Sequence, residues 1–282
     1  MTFREGRSTR AAQASAPATD GRALLASCVA AAVRAGDVIR QAATTLPDIR
    51  WELKGPSDFV SDVDRNAERV LSEVLLERHP DAVIVAEETS PHAPVSAVGL
   101  TFVADPLDGT TNFLHGFPWY AVSIAALVDG AHVAGAVLNV ANGELFTAVR
   151  GSGARRNGQP IRVSSITEPS NALIGTGFPF KHREGIAPYM VVLPRLMERA
   201  AGLRRAGSAA LDLCDVACGR FEAFWEYQLS AWDVAAGLLI VREAGGIVTD
   251  LEGRDAQVKK GPIVAGSPAM HAWLMEQLKS TE

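Results

Sequence analysis

Three observations predict an α/β or α+β layered architecture. Segments with apolar residues at helical spacing interleave with short Val- and Ala-rich runs bounded by Gly, Asn or Asp. The alternation covers the whole length, with no low-complexity linker and no internal repeat. Of 282 residues, 48% are hydrophobic, enough to fill a sizeable core.

Residues 1–20 are rich in Ala, Ser, Thr and Arg and lack the apolar stretch of a secretory signal, so a disordered tail is expected there, with the folded domain spanning 21–282. Residues 21–45 carry Leu24, Leu25, Val29, Val33, Val38 and Ile39 at helical spacing, closed by Pro47. A second helix is expected over 62–78, from Val63, Ala67, Val70, Leu71, Val74 and Leu75. Strand-like runs come next at 82–88, 100–105, 121–130 and 132–150, and Asn142-Gly143 marks a hairpin inside the last of them. Residues 155–164 read as a turn and short strand, and NALIGTGFPF (171–180) as a strand and loop. Helices are expected over 186–201 and within 203–219, a strand over 220–228, and a very apolar helix over 233–246. GIVTD and PIVAG read as strands, and HAWLMEQLKS as the closing helix.

Net charge is −5, which implies no broad basic surface, so nucleic acid is not an expected partner. The longest apolar runs fall far short of a membrane span. Three cysteines (Cys28, Cys214 and Cys218) cannot form a disulfide framework, and a reducing, cytoplasmic compartment fits. Cys214 and Cys218 share a helix face but lack a second ligand pair, so they read as buried small residues. The glycines of RGSGARRNG (150–158) open no helix, so that stretch reads as a hairpin tip and not a nucleotide loop. His115 comes just after the main motif loop and is a candidate substrate contact.

The chemistry concentrates in ADPLDGTTNF (104–113). Asp105 ends a strand-like run, Pro106 restrains the backbone, Asp108 comes next, and Gly109 permits a tight bend with exposed amides before Thr110 and Thr111, which can cap the next helix or turn. Paired carboxylates suit hard cations such as Mg2+, and free amides at a turn suit a phosphate. Further acidic clusters stand at element ends: Asp58, Asp62 and Asp64; Glu87 and Glu88; and Asp233. Taken singly, Asp58, Asp62 and Asp233 read as helix caps and the glutamates as a solvated strand end; together they suggest one metal pocket at strand ends. Lys54 and Gly55, just ahead of the first cluster, are expected to form a mobile lid.

DPLDGTTNF (105–113) and WDVAAG (232–237), supported by AEE (86–88) and DFVSDVD (58–64), resemble the inositol monophosphatase family, the Mg2+-dependent, lithium-sensitive phosphomonoesterases. The resemblance runs from about residue 22 to the C-terminus. GTGFPF (175–180), RRAGSAALDLCDVACGR (204–220) and EAGGIVTD (243–250) look most like its bacterial branch. It implies an α-β-α-β-α sandwich that is usually dimeric, with two or three Mg2+ ions. It implies metal ligation by Glu87, Asp105, Asp108, Asp233 and the Leu107 carbonyl, and a phosphate cradle of Gly109, Thr110 and Thr111. Asp64 and Thr110 match the pair that orients and deprotonates the attacking water, with Glu87 beside them at the catalytic metal. Glu226 matches the acceptor of the inositol hydroxyls, with Ser208, Ala209 and Asp233 beside the substrate; Arg205 lies near that wall. The implied reaction converts inositol 1-phosphate, or another small phosphorylated polyol or alcohol, to the alcohol and phosphate. Histidinol-phosphate phosphatase, fructose-1,6-bisphosphatase and a regulatory binding protein on the same fold stay open as alternatives. EYQLSAWD argues against the nucleotide-bisphosphate phosphatases of the wider superfamily.

Overall fold

Asp20 opens the first helix, its carboxylate accepting the Arg22 backbone N–H at 2.9 Å. The structure is a computed structural model that describes residues 20–91, 93–181 and 183–279. The tail expected over 1–20 therefore lies outside the described residues, apart from this capping aspartate.

Helix α1 (Gly21–Ala42) tightens into a 3-10 turn, Ala43–Asp48, that contains Pro47. A hairpin that periodicity does not reveal comes next, β1 (Trp51–Gly55) against β2 (Asp58–Ser61), and leads into α2 (Asp62–Arg78). Strands β3 (Val83–Ala86) and β4 (Leu100–Asp108) precede a short helix α3 (Thr110–Leu114). Then come β5 (Ala121–Val128), β6 (Ala131–Asn139), β7 (Leu145–Val149), β8 (Ala154–Arg156) and β9 (Gln159–Pro160). The second half holds β10 (Leu173–Thr176), α4 (Ile186–Arg199), β11 (Gly202–Arg204), α5 (Ala209–Ala217) and β12 (Ala223–Leu229). It closes with α6 (Ala231–Glu243), β13 (Ile247–Thr249), β14 (Gly261–Gly266) and α7 (Pro268–Lys279).

The strands form a seven-stranded sheet, β3-β4-β5-β6-β7-β8-β9, a five-stranded sheet, β11-β10-β12-β14-β13, and the small hairpin. Side chains alternate across a sheet, so each strand serves two cores. Phe102 and Ala104 of β4, with Val122, Ile124 and Ala126 of β5, pack on α1 and α2. Val103, Ala125 and Leu127 face the other way, onto α5 and α6, with Phe224, Ile263 and Ala265 of the second sheet beyond. The far face of that sheet, with Ile174, Trp225 and Val264, packs on α4 and α7. The layers are thus α-β-α-β-α, as the resemblance implies. The middle layer explains the composition of α6: Val234 through Val241 are all buried, because a helix between two sheets has no solvent face. No helix among the described residues is long and apolar enough to cross a membrane.

Several local expectations are corrected. Asp58 lies in β2 and Asp62 is the first residue of α2; the N-cap is Ser61, boxed with Asp64. Asp233 is the third residue of α6 and not its cap, which is Ser230. β4 does not stop at Asp105 but runs to Asp108 through an irregularity in its pairing with β5. The N-cap of α3 is Gly109, and neither Thr110 nor Thr111 caps it through its side chain.

Candidate active site

The irregularity in β4 is what brings Asp105 and Asp108 together. Between them the pairing with β5 shifts register, so two residues of regular strand do not keep them on opposite faces. Asp105 is held by its own loop, its carboxylate accepting the Leu107 N–H at 2.9 Å. Asp108 accepts the Ser208 hydroxyl at 2.7 Å and the Ala210 N–H at 2.8 Å, which join it to the start of α5. Asp233 accepts the Ser230 N–H at 2.6 Å within the capping box of α6. One oxygen from each of Asp105, Asp108 and Asp233 lies within 4.8 Å of the others.

That proximity leaves negative charge uncompensated. Burial, then Glu87, Asp108 and Asp233, push the Asp105 carboxyl well above the usual carboxylate range. Burial raises Asp108 to about 6, opposed by the donors from Ser208 and Ala210. Burial, Asp108 and Glu87 raise Asp233 to about 7. An all-oxygen donor set with surplus negative charge fits a hard divalent cation.

Behind this cluster, Asp64 is 1% exposed. It accepts the Thr110 hydroxyl at 2.8 Å, the Ser61 N–H at 2.8 Å and the Ser61 hydroxyl at 2.5 Å. Burial raises its carboxyl above the usual range, and these donors hold it down. Thr110 also lies 3.1 Å from the Leu107 carbonyl oxygen. Gly109 has φ +96°, and a Cβ there would stand 3.0 Å from the Trp119 carbonyl, so the bend before the threonines requires glycine. Asn112 fastens the same loop, donating to the carbonyls of Trp119 at 2.7 Å and Ala206 at 2.9 Å.

Glu87 and Glu88 sit just past β3 on a turn fixed from below. Buried Glu68 of α2 accepts the N–H groups of Glu88 and Thr89 at 2.8 and 2.9 Å. From the hairpin above, Lys54 reaches Glu87 at 2.8 Å and Glu88 at 2.9 Å. Burial pulls the Lys54 ammonium down, but the two carboxylates outweigh it and hold it above the usual lysine range. Lys181 pairs with Asp58, on β2 of the same hairpin, at 2.5 Å.

These residues surround a cavity of about 720 Å³. Its lining includes Glu87, Asp105, Leu107, Asp108, Gly109, Thr110, Thr111, Ser208, Ala209, Glu226 and Asp233, with Asp64 directly behind Thr110. The structure therefore brings together in one cavity the residues for which the resemblance implies metal, phosphate and substrate contacts. Glu226 sits in mid-β12 and not at a strand end. Burial, then Asp233, raise its carboxyl to about 8, against the pull of Arg205. Gly177 faces it: any Cβ there would overlap the Glu226 carboxylate. Arg205 lines the cavity with its guanidinium 5.9 Å from the Phe178 ring and 5.2 Å from Phe180. His115 is the exposed C-cap of α3 and does not line the cavity. Cys214 is buried and Cys218 partly so, and both are free.

Sequence reasoning missed Lys54 as a partner of the acidic site, Lys181, Gly177 and Asp212. GTGFPFK, running Gly177 and Lys181 into one loop, carried the signal for those two, while Asp212 sits unmarked inside RRAGSAALDLCDVACGR.

Five layers, with clustered carboxylates where strand, helix and motif loop meet, define a metal-dependent phosphatase fold. The chain belongs to the inositol monophosphatase family, whose model matches residues 21–282. It is 46% identical over 246 residues to the putative Nus factor SuhB of Neisseria meningitidis serogroup A, covering 87% of this chain and 94% of that one. It is 43% identical over 257 residues to the inositol-1-monophosphatase of Rhizobium meliloti, covering 91% and 96%. The crystal structure of the extragenic suppressor protein suhB from Bartonella henselae superposes with a TM-score of 0.86 at 42% identity, over 92% of this chain and all of that one.

Proposed function

We propose that this protein hydrolyses the phosphate monoester of a small polyol, inositol 1-phosphate before others, using Mg2+. The observation that carries the reading is the joining of two arrangements in one cavity: the Asp105–Asp108–Asp233 cluster and the Asp64–Thr110 hydrogen bond. Glu87, Asp105, Asp108, Asp233 and the Leu107 carbonyl would hold two or three Mg2+ ions. When bound, these ions supply charge neutralisation at the phosphate and a more acidic water.

The chain's own groups do the rest. Gly109 caps α3 and Thr110 and Thr111 begin it; the amides of this turn and the Thr111 hydroxyl would face the phosphate. A hydroxyl carries one proton, and the contact of Thr110 with Asp64 is shorter than its contact with Leu107, so the proton points to Asp64. Thr110 can thus take a proton from the attacking water while passing its own to Asp64. The oxygen of that water bonds to phosphorus as the bond to the alcohol breaks; the departing alkoxide oxygen takes a proton from solvent water, and Asp64 returns the one it received to solvent. Ser208, Ala209 and Glu226 border the space left for the alcohol.

Pairing with a second copy and a cytoplasmic location belong to the same reading. Exposed Ile186, Met190 and Met197 on one face of α4 support the former, and sedimentation velocity tests it. The similarity to proteins named Nus factor favours a second, partner-binding role alongside catalysis. If binding to such a partner survived Asp108→Asn while hydrolysis did not, the two roles would be separable.

The test is phosphate release from inositol 1-phosphate, histidinol phosphate, fructose 1,6-bisphosphate and 3′-phosphoadenosine 5′-phosphate, with Mg2+, with chelator and with lithium. The expected result is Mg2+-dependent, lithium-inhibited turnover with kcat/KM for inositol 1-phosphate at least about tenfold above the others, a gap of about 1.4 kcal/mol. Full activity in chelator would overturn the reading.

A further inference from the structure

Among the described residues, six acidic side chains are buried: Asp64, Glu68, Asp105, Asp212, Asp215 and Glu222. Five of them have donors. Asp64 has Ser61 and Thr110, and Glu68 has two backbone amides. Asp105 has the Leu107 amide, Asp215 has Arg220, and Glu222 has the Leu173 amide. Asp212 has none: it is 1% exposed, and its Oδ1 meets no hydrogen-bond partner. Leaving a buried carboxyl oxygen unbonded costs stability, a cost that a donor brought by a ligand would offset.

Its place suggests what it is kept for. Asp212 lies one turn beyond Ser208, so it shares the side of α5 that faces the cavity, and it lines that cavity with Glu226. The charged groups acting on it are Glu226 of β12, Asp215 of α5, Asp108 of β4 and Arg205. Arg205 is the lone cation of that set, and its guanidinium rests over Phe178 and Phe180.

We propose that Asp212 is a specificity-determining residue whose carboxyl, beside that of Glu226, receives hydroxyl groups of the alcohol half of the substrate. The inference rests on the phosphatase reading above and names the alcohol as a polyol. Burial first, then Glu226, push the Asp212 carboxyl well above the usual range. The neutral acid is thereby favoured, giving the floor one O–H donor beside its acceptors. A site built to bond hydroxyls rejects an alcohol that lacks them, because its polar groups are then left unpaired.

The experiment compares inositol 1-phosphate with 4-nitrophenyl phosphate, in Mg2+, for wild type, Asp212→Leu and Asp212→Asn. Leucine keeps the branching, with larger methyl groups in place of the oxygens, and removes the polar atoms; asparagine keeps the size with a neutral donor and acceptor. The readouts are the ratio of kcat/KM for the two substrates and the melting temperature. For Asp212→Leu the ratio should fall by about tenfold or more, mainly through KM for inositol 1-phosphate. Its melting temperature should hold or rise, since an unpaired buried carboxyl has been removed. Asp212→Asn should restore the ratio to within about threefold of wild type. An unchanged ratio in Asp212→Leu overturns the inference and leaves the phosphatase reading standing. Equal losses on both substrates with a lower melting temperature also overturn it, in favour of a structural role. Failure of both variants to fold overturns it likewise. If wild type releases phosphate from neither substrate, the phosphatase reading falls and takes the inference with it.

Discussion

Thr110 and Asp64 can be separated by experiment from the carboxylates that would hold metal, because neither belongs to the Asp105–Asp108–Asp233 cluster. Thr110→Val keeps the shape of the side chain and deletes the hydroxyl that joins Asp64 to the cavity. It should lower kcat for the preferred substrate by about 10²–10⁴-fold, the range of positioned acid–base groups. Mg2+ binding, measured by calorimetry, should change far less. Equal losses of turnover and Mg2+ affinity would make Thr110 part of the metal scaffold. At this scale the motif DPLDGTTNF was legible, because its carboxylates, glycine and threonines are neighbours in the chain. The Lys54 pairing was not, since Lys54 and Glu87 lie 33 residues apart and no local pattern couples them.

At the scale of elements, two meetings between segments can be tested. Helices α5 and α6 cross closely at Gly237, where a Cβ would stand 2.5 Å from Leu213 Cδ1 and 2.8 Å from its Cβ. Gly237→Ala overpacks this contact and should destabilise the protein by about 1–3 kcal/mol, read as a lower urea midpoint with an unchanged slope. A midpoint at or above wild type would show that the two helices can move apart without cost. The β1–β2 hairpin meets the site through the Lys54 pair with Glu87 and Glu88. A divalent cation at Glu87 would compete with that ammonium, so protease cutting within 51–61 should change when Mg2+ is added. Identical cutting would remove the hairpin from any lid role. The hairpin is hidden in the sequence because Trp51 to Lys54 are exposed and show no buried face from which to read a period. The buried elements β4, β5 and α6 were easy to place for the opposite reason, although the β4 irregularity was invisible without its partner strand.

For the whole molecule, the raised carboxylates turn metal binding into stability. The unperturbed Asp value is 3.8, while Asp108 stands at about 6 and Asp233 at about 7 when folded. Between those values the metal-free folded state binds more protons than the unfolded chain, so its stability falls as pH rises from about 4 to 7. A bound divalent cation offsets that repulsion. The gain in melting temperature from Mg2+ over chelator should therefore be small near pH 5 and larger at pH 7.5, measured by differential scanning fluorimetry in matched buffers. A gain that is flat, or that shrinks with pH, would mean that Asp108 and Asp233 do not hold the ion. Taking the difference at each pH also removes His132, which burial lowers to about 4 and which titrates in the same range with or without metal.

The class of architecture, the order of nearly all elements and the carboxylates of the motif loops could be read from the chain alone, since periodicity and short motifs are written in adjacent residues. Which distant residues complete the site could not. Ser208 donates to Asp108 across 100 positions and Thr110 to Asp64 across 46, pairings set by the stacking of layers. The same stacking leaves Asp212, an unremarked helical aspartate in the sequence, buried and unbonded at the cavity wall. Whether a carboxyl finds a donor depends on what the fold packs against it, which its chain neighbours do not specify.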